Sequence, residues 1–278
     1  MKASISMCTM RSGFICLFLV CLSYISNGQI SDLRGGGAAV TAQGKIYSVL
    51  GGADGIFGNS ASMPDMKEAL MIDAGVERRF GLADLSVYSI AVVKKLKRSA
   101  FGINLVNMGD QEYLERKLQA SFSMKLTEVF NIGANFNMLQ LSISDYGQTF
   151  TPSIDLGILT KLTEKIAVGI FAQNIATTKQ ETISYPTILA LGVDYKLSEK
   201  VGLKLEAEKI LDRSIAIKSA LKYAPQEKLN FMLGVDTQRQ NMALGISYQL
   251  NGFKIIGAYT LGNVLNSTPA LNLRYLRN

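Results

Sequence analysis

A four-residue motif, Lys-Leu-Thr/Ser-Glu, recurs three times and constrains the fold more than any other feature of the sequence. Its copies begin at Lys125, Lys161 and Lys196, so the spacings are 36 and 35 residues. Each copy lies between two segments in which apolar and polar residues alternate, as at 166–173. Such alternation is typical of a strand whose two faces meet different environments. A period of about 35 residues that contains two such strands predicts a repeated β-hairpin.

Alternating segments continue from residue 69 to the C-terminus and predict about fourteen strands. Residues 139–141 interrupt the alternation of the fifth strand, which predicts a β-bulge there. The predicted connections fall into two sets, a short set that includes the three recurring turns and a longer set at 107–115, 144–151, 177–185 and 262–268. Short turns at one end and longer loops at the other are typical of bacterial outer-membrane barrels, whose short turns face the periplasm.

The composition of the two strand faces favours a membrane barrel over a soluble one. A soluble barrel would carry charge outside and large apolar residues inside. Only 18% of the residues in the whole chain are charged, the polar face of the strands is mostly small or amide residues, and tyrosines lie toward the ends of the apolar face. Lipid outside and a polar lumen require this pattern. For residues 69–278 the sequence therefore predicts an all-β fold, a transmembrane antiparallel up-and-down β-barrel of about 14 strands.

Residues 1–28 have the features of a secretory signal peptide. Lys2 and Arg11 precede an apolar core at 14–22, and small residues at 26–28 suit cleavage before Gln29. All three cysteines lie in this leader, so we expect the mature chain to have no disulfide and no cysteine nucleophile. The expected location is the outer membrane of a Gram-negative bacterium, reached by export with a cleaved signal peptide.

Residues 29–68 differ from the rest of the chain because they are rich in glycine and other small, turn-forming residues. A nucleotide-binding glycine loop is one alternative. However, Gly51 and Gly52 lack the G-x-G-x-x-G spacing and no amphipathic helix follows them. We therefore expect an irregular segment that packs compactly against the rest of the protein.

Several short segments resemble the FadL-like outer-membrane barrels, and more closely their PorV/PorQ branch in Bacteroidetes, which serves type IX secretion. The segments are Leu50–Ala53 with Asn59–Met63, then 131–136, 155–159 and 169–175. The resemblance implies a fourteen-stranded barrel with both termini in the periplasm. It also implies that residues 29–68 enter the lumen as a hatch. The expected hatch residues are Gly51, Gly52 and Asn59.

The resemblance implies an accessory role in a protein secretion or surface-attachment system, exercised through contacts with other proteins. The longer loops would then form the contact surface. The aromatic residues that could anchor a partner there are Tyr113, Tyr146, Phe150 and Tyr185. The alternative is that these are ordinary aromatic residues of the membrane interface.

A second function is a passive channel for hydrophobic or small solutes, gated by the hatch. The polar residues expected to face its lumen are Lys204, Glu206, Lys218, Asp236, Lys254 and Arg274. Opposite charges among them could instead pair across the lumen and make it rigid. A hydrophobic passage through the hatch would favour transport, whereas a closed lumen with apolar loop tips would favour the accessory role.

No catalytic residue, cofactor or metal is expected. The sequence contains no histidine, and without a mature cysteine the usual Ser-His and Cys-His pairs and His-ligated metal sites are excluded. Glu206 and Glu208 lie about 7 Å apart on one strand face, a separation that some glycosidases use, but with Lys204 nearby we expect a salt network. The net charge is +7, yet Lys and Arg occur singly, so we expect lipid and protein partners and no nucleic acid.

Overall fold

The structure, a computed structural model, describes residues 33–177, 185–211, 213–262 and 267–278. The predicted signal peptide, the first residues of the predicted hatch and most of the predicted loops at 177–185 and 262–268 lie outside the described residues. Across those described ranges, no helix has both the length and the apolar character needed to cross a membrane, a finding that concerns helices alone.

Fourteen strands close into one antiparallel barrel, in which each strand pairs with its sequence neighbours and the first strand pairs with the last. The first seven are β1 Leu70–Arg78, β2 Ser86–Lys95, β3 Ser99–Gly109, β4 Tyr113–Lys125, β5 Phe130–Ile143, β6 Gly147–Lys161 and β7 Ile166–Thr177. The others are β8 Ile188–Lys196, β9 Val201–Ile210, β10 Ala216–Gln226, β11 Leu229–Asp236, β12 Asn241–Leu250, β13 Phe253–Gly262 and β14 Thr268–Arg277. The predicted number of strands and their antiparallel order are confirmed.

The recurring motif forms three of the short turns at one end of the barrel, which we call the turn end; the opposite end is the loop end. In the first copy the Thr127 hydroxyl accepts hydrogen bonds from the N–H groups of Val129 and Phe130, at 3.3 and 3.1 Å. Thr163 and Ser198 do the same in the other copies. The hydroxyl satisfies donors that a tight turn leaves unpaired, which explains why the third position is Thr or Ser.

The outer surface of the barrel is an apolar belt. Outward-facing side chains such as Ile103, Phe136 and Ile255 are more than half exposed. The inward-facing positions between them are small or polar, and most are buried. An exposed apolar surface of this extent is what contact with hydrocarbon requires, and closure of the sheet leaves no unpaired edge. The predicted transmembrane barrel is therefore confirmed.

Two of the predicted longer loops are wrong. The predicted loop at 107–115 is a tight hairpin closed by 110–112, and the predicted loop at 144–151 is closed by 144–146. Strand pairing continues almost to the tips, and the Asp110 carboxylate accepts hydrogen bonds from two N–H groups of its own turn. Polar residues there belong to long strands that extend beyond the belt.

The predicted bulge at 139–141 is also wrong. The register of β5 is continuous on both sides, and Leu139 and Leu141 point inward, each 6% exposed. The alternation is interrupted because two inward-facing positions of β5 are leucines, although their buried partners on β4, Lys117 and Glu115, are charged. A bulge occurs instead in β7, where Asn174 has a φ of 55° and its N–H donates to the buried Asp155 carboxylate at 2.9 Å.

Residues 33–66 fill the lumen. They form one short helix, α1 Gly37–Thr41, and 3₁₀ helices at Gly52–Phe57 and Ser60–Asp65, and a third 3₁₀ helix, Arg79–Gly81, follows β1. Nearly all side chains of the lumen segment are buried. The largest apolar cluster lies between this segment and the inner wall and includes Ile56 and Phe57. The protein core thus lies inside the barrel, and the name hatch is kept for this segment.

Candidate functional site

Glycines in the wall let the hatch backbone touch the strands. A Cβ atom at Gly169 of β7 would lie 2.1 Å from the Ser48 carbonyl oxygen. One at Gly157 of β6 would lie 2.0 Å from the Oδ1 atom of Asn59. Both distances are far below van der Waals contact, so only glycine permits this close packing.

Asn59 joins the hatch to the wall. Its side chain is fully buried, and its Nδ2 atom donates to the carbonyl oxygens of Ser48 at 2.8 Å and of Ile158 in β6 at 2.9 Å. Its Oδ1 atom accepts from the Ala61 N–H at 3.1 Å. One amide therefore satisfies buried polar groups of both the hatch and a strand, which would be costly to leave unpaired.

The two predicted hatch glycines differ. Gly52 has a φ of +56°, and a Cβ atom there would lie 3.3 Å from the Met66 Cα atom, so both conformation and space favour glycine. Gly51 is exposed, and a Cβ atom there would meet nothing within 4 Å. Contact with the wall thus gives no reason for a glycine at position 51.

Glu206 of β9 holds the middle of the hatch. One carboxylate oxygen accepts hydrogen bonds from the N–H groups of Tyr47 and Ser48, at 2.8 and 2.7 Å. It also accepts from the Ser48 hydroxyl at 2.6 Å. The other oxygen lies 3.2 Å from the Lys218 ammonium nitrogen of β10. A single carboxylate therefore orders a hatch turn and balances a buried cation.

Lys218 extends this contact into a buried network of four charges. Its ammonium nitrogen lies 2.8 Å from Glu208, and the Arg34 guanidinium of the hatch lies 2.6 Å from the same carboxylate. Arg34 also stacks over the Tyr47 ring, 4.1 Å from its centroid. Two cations face two carboxylates, so the charges that are taken out of water compensate each other.

Arg274 of β14 connects the hatch to the seam where the barrel closes. Its guanidinium lies 2.6 Å from Asp54 of the hatch and 2.8 Å from Asp73 of β1. Burial raises the pKa of Asp54, but the positive charges of Arg274 and Lys254 outweigh this effect and hold the pKa below its ordinary value of 3.8. Lys254 thus contributes to the site through its charge.

Asp65 fastens the end of the hatch to the recurring motif. Its carboxylate lies 2.7 Å from the Lys125 ammonium nitrogen and 2.9 Å from that of Lys161, the first residues of two motif copies. Asn131 donates to its other oxygen at 2.9 Å. Burial raises the pKa of Asp65, but hydrogen bonds from the two lysines lower it below 3.8. The motif therefore forms turns and also holds the hatch.

Acid is expected to loosen the hatch. Asp54 and Asp65 have lowered pKa values in the docked state, so their ionised forms stabilise docking at pH values above the ordinary carboxyl pKa, and this contribution is lost as pH falls below about 4. Hydrogen-exchange protection of residues 33–66, corrected for intrinsic rates, should decrease between pH 6 and pH 3. Asp65→Asn should show a smaller decrease. Constant protection down to pH 3 would contradict these assignments.

The two remaining predicted lumen residues, Lys204 and Asp236, form hydrogen bonds in different parts of the protein. Lys204 donates a hydrogen bond to the Gln43 side chain of the hatch at 2.8 Å. Asp236 accepts from the N–H groups of Gln238 and Arg239, at 3.0 and 3.2 Å, and so orders the turn after β11. The six residues therefore do not form one site, because Glu206, Lys218 and Arg274 belong to ion pairs while Asp236 holds a turn.

Two of the predicted loop aromatics, Tyr113 and Tyr185, lie near the same carboxylate, that of Glu115. Tyr113 and Phe150 lie in β4 and β6, because these strands extend beyond the predicted loop boundaries, and the Tyr113 hydroxyl donates to Glu115. Tyr146 is 89% exposed at the tip of a hairpin. Tyr185 is half-buried, and burial together with the negative charge of Glu115 raises its pKa to about 12.

Sequence reasoning missed the hatch side of the site. The hatch contains four charged residues among mostly small and apolar ones, and each meets an opposite charge on the wall; they are Arg34, Lys45, Asp54 and Asp65. Isolated charges among small and apolar residues could have identified these positions as contacts with the wall. Within the part of the chain that the structure describes, no group of three or more Cys, Asp or Glu side chains has a geometry that could hold a metal ion.

The fold of the chain is similar to that of several solved structures. The chain matches no protein-family model and no curated protein by sequence. The monoaromatic hydrocarbon channel CymD shares 14% identity over 90% of this chain and 99% of its own, with a TM-score of 0.68. A FadL homologue of Pseudomonas aeruginosa shares 11% over 89% of this chain and 100% of its own, with a TM-score of 0.66. The toluene transporter TodX of Pseudomonas putida shares 13% over 88% and 98%, with a TM-score of 0.62. The chain therefore has the fold of the FadL-like outer-membrane β-barrels.

Proposed function

We propose that the protein is an outer-membrane channel that lets small, largely apolar solutes cross passively, with the hatch as its gate. The observation that carries this proposal is how the hatch is held. Among the described residues, no backbone-to-backbone hydrogen bond joins residues 33–66 to a strand, and the polar contacts between them run through side chains. The hatch can therefore leave the lumen without breaking the sheet.

The loop-end part of the lumen supports an apolar solute. Val87, Val106 and Met108 of β2 and β3 form a buried cluster with Leu33 of the hatch. The inward-facing leucines of β5 lie at the same end, next to the buried Glu115 and Lys117 of β4. Mainly apolar walls with a small number of placed polar groups are typical of sites that bind small molecules. The described hydrocarbon channel and toluene transporter of the same fold support this solute class.

The accessory role in secretion is less well supported. A docking surface built on longer loops would need exposed aromatic side chains close together, but two of those loops are tight hairpins and only Tyr146 projects strongly. The solved structures of similar fold support the FadL-like architecture and not the finer PorV/PorQ assignment. The channel is therefore the function that the geometry supports best.

A disulfide between hatch and wall tests the gate. The Ser89 Cβ atom lies 3.3 Å from the position of a Cβ atom on Gly35, close to the separation of about 3.5–4.5 Å in natural disulfides. A Cβ atom on Gly35 would also lie 2.6 Å from the Cγ2 atom of Val106, so Val106→Ala is included in every variant of this test to make room for it. Intact Gram-negative cells that produce Gly35→Cys/Ser89→Cys should take up labelled toluene when reduced, and oxidation should lower uptake to that of cells without the protein. Ser89→Cys alone is the control. Unchanged uptake after the bond is verified by mass would contradict the gate.

A further inference from the structure

The turn between β2 and β3 is the most basic segment of the chain. Residues 94–98 read Lys-Lys-Leu-Lys-Arg, four basic residues in five with no acidic residue. The recurring turns, by contrast, each pair a lysine with a glutamate. The expectation that basic residues occur singly is therefore wrong at this place, which we call the basic turn.

The basic turn faces the surroundings of the barrel. Lys94 follows Val92 on the outward face of β2 and is exposed, as are Lys97 and Arg98. Leu96 is 48% exposed at the edge of the apolar belt. The side chain of Lys95 points the other way and donates to the Met66 carbonyl oxygen of the hatch. Three cations and one leucine thus lie together at the boundary between the belt and the polar turn end.

Little negative charge from the protein reaches these cations. Lys94 and Lys97 form no ion pair with any described residue. Arg98 lies 3.8 Å from Glu128, and their side chains are 59% and 84% exposed. An exposed pair at that distance holds the guanidinium weakly. The three cations are therefore available to an external anion.

We propose that the basic turn binds the phosphate headgroups of anionic phospholipids in the leaflet next to the turn end. Basic clusters beside a membrane-spanning segment attract anionic lipids at about 1 kcal/mol per Lys or Arg near the surface. Here Lys94 lies between Val92 and Leu96 on the outward face of β2, beside Phe101, so its long side chain can reach the phosphates from the edge of the belt. Lys97 and Arg98 lie in the turn itself, beyond the end of β2. The proposal rests on the membrane-spanning barrel and not on movement of the hatch.

Lipid retention by matched variants tests this site. The protein is placed in vesicles that contain equal amounts of phosphatidylglycerol and phosphatidylcholine and is then extracted in mild detergent. Native mass spectrometry measures which lipids stay bound to it. The wild type should retain at least about fivefold more phosphatidylglycerol than phosphatidylcholine, which is the effect expected from a single basic residue at the surface. The variant K94Q/K97Q/R98Q should retain the two lipids equally.

The control variant K165Q/K196Q/K200Q loses the same three charges at the same end, but from turns that also contain glutamates. It should keep the enrichment of the wild type. Unchanged enrichment in the first variant, or equal loss in both, would overturn the proposal, because the effect would then be absent or due to net charge alone. Lys97→Gln changes one exposed side chain and tests the site even if the triple variant does not fold. Toluene uptake by the disulfide variant Gly35→Cys/Ser89→Cys is a separate measurement, so failure of the lipid site is distinguishable from failure of the channel.

Discussion

Glu206→Ala is expected to release the middle of the hatch while the barrel stays closed. The substitution leaves Lys218 without one of its two carboxylates and leaves the N–H groups of Tyr47 and Ser48 without their acceptor. Removing one partner of a buried ion pair typically costs about 3–5 kcal/mol. That cost falls on docking of the hatch, because strand pairing in β9 does not use the Glu206 side chain.

Hydrogen exchange of the amides at 45–50 measures this release. Their protection should fall by at least about a hundredfold, the equivalent of roughly 3 kcal/mol, while protection of the strands is unchanged. The double variant Glu206→Ala/Lys218→Met should recover part of the lost protection. It removes the uncompensated charge of Lys218, and Glu208 still pairs with Arg34. Asp236→Ala is the control, since that carboxylate accepts from its own turn. Equal loss of protection in the hatch and in β9 would mean that Glu206 stabilises the barrel itself.

Gly169→Ala is expected to push the hatch away from β7. The added methyl group would lie 2.1 Å from the Ser48 carbonyl oxygen, a backbone atom that cannot rotate aside. Overpacking of this kind typically costs about 1–3 kcal/mol, and here the strain is relieved when the hatch moves. Limited proteolysis of folded protein should therefore cut within residues 33–66 much faster than in the wild type.

Gly202→Ala is the matched control for this change. Gly202 also lies in a barrel strand, but a Cβ atom there would meet nothing within 4 Å. Its cleavage pattern should match that of the wild type. Similar rates of hatch cleavage in both variants would show that the contact between Gly169 and Ser48 does not position the hatch.

The barrel could be predicted because lipid outside and a polar lumen impose alternation on every strand. The prediction failed where this contrast is absent. Leu139 and Leu141 are apolar on the inward face, so the alternation suggested a bulge that does not exist. Polar residues at 107–115 suggested a loop, although they belong to long strands that extend past the belt. Local composition does not report how far strand pairing continues.

The hatch contacts could be predicted only in part. Lys218 and Glu206 were both expected to face the lumen, and the pairing of β9 with β10 places them directly opposite each other. The partners of Glu206 in the hatch are 158 and 159 residues away in sequence. Nothing local in the Tyr47–Ser48 segment shows which wall residue it meets. The same holds for Asp65. Its ion-pair partners, Lys125 and Lys161, were recognised as turn residues and not as residues that contact the hatch.

Ion conductance across planar bilayers tests the central claim, that a separable hatch closes the lumen, most directly. The wild type should conduct little, because the hatch fills the lumen and its charges are paired with the wall. Gly169→Ala should open pores of reproducible conductance, and Gly202→Ala should behave as the wild type. If Gly169→Ala exposes the hatch to protease and yet conducts no more than the wild type, the hatch does not close a continuous passage and the channel proposal is wrong.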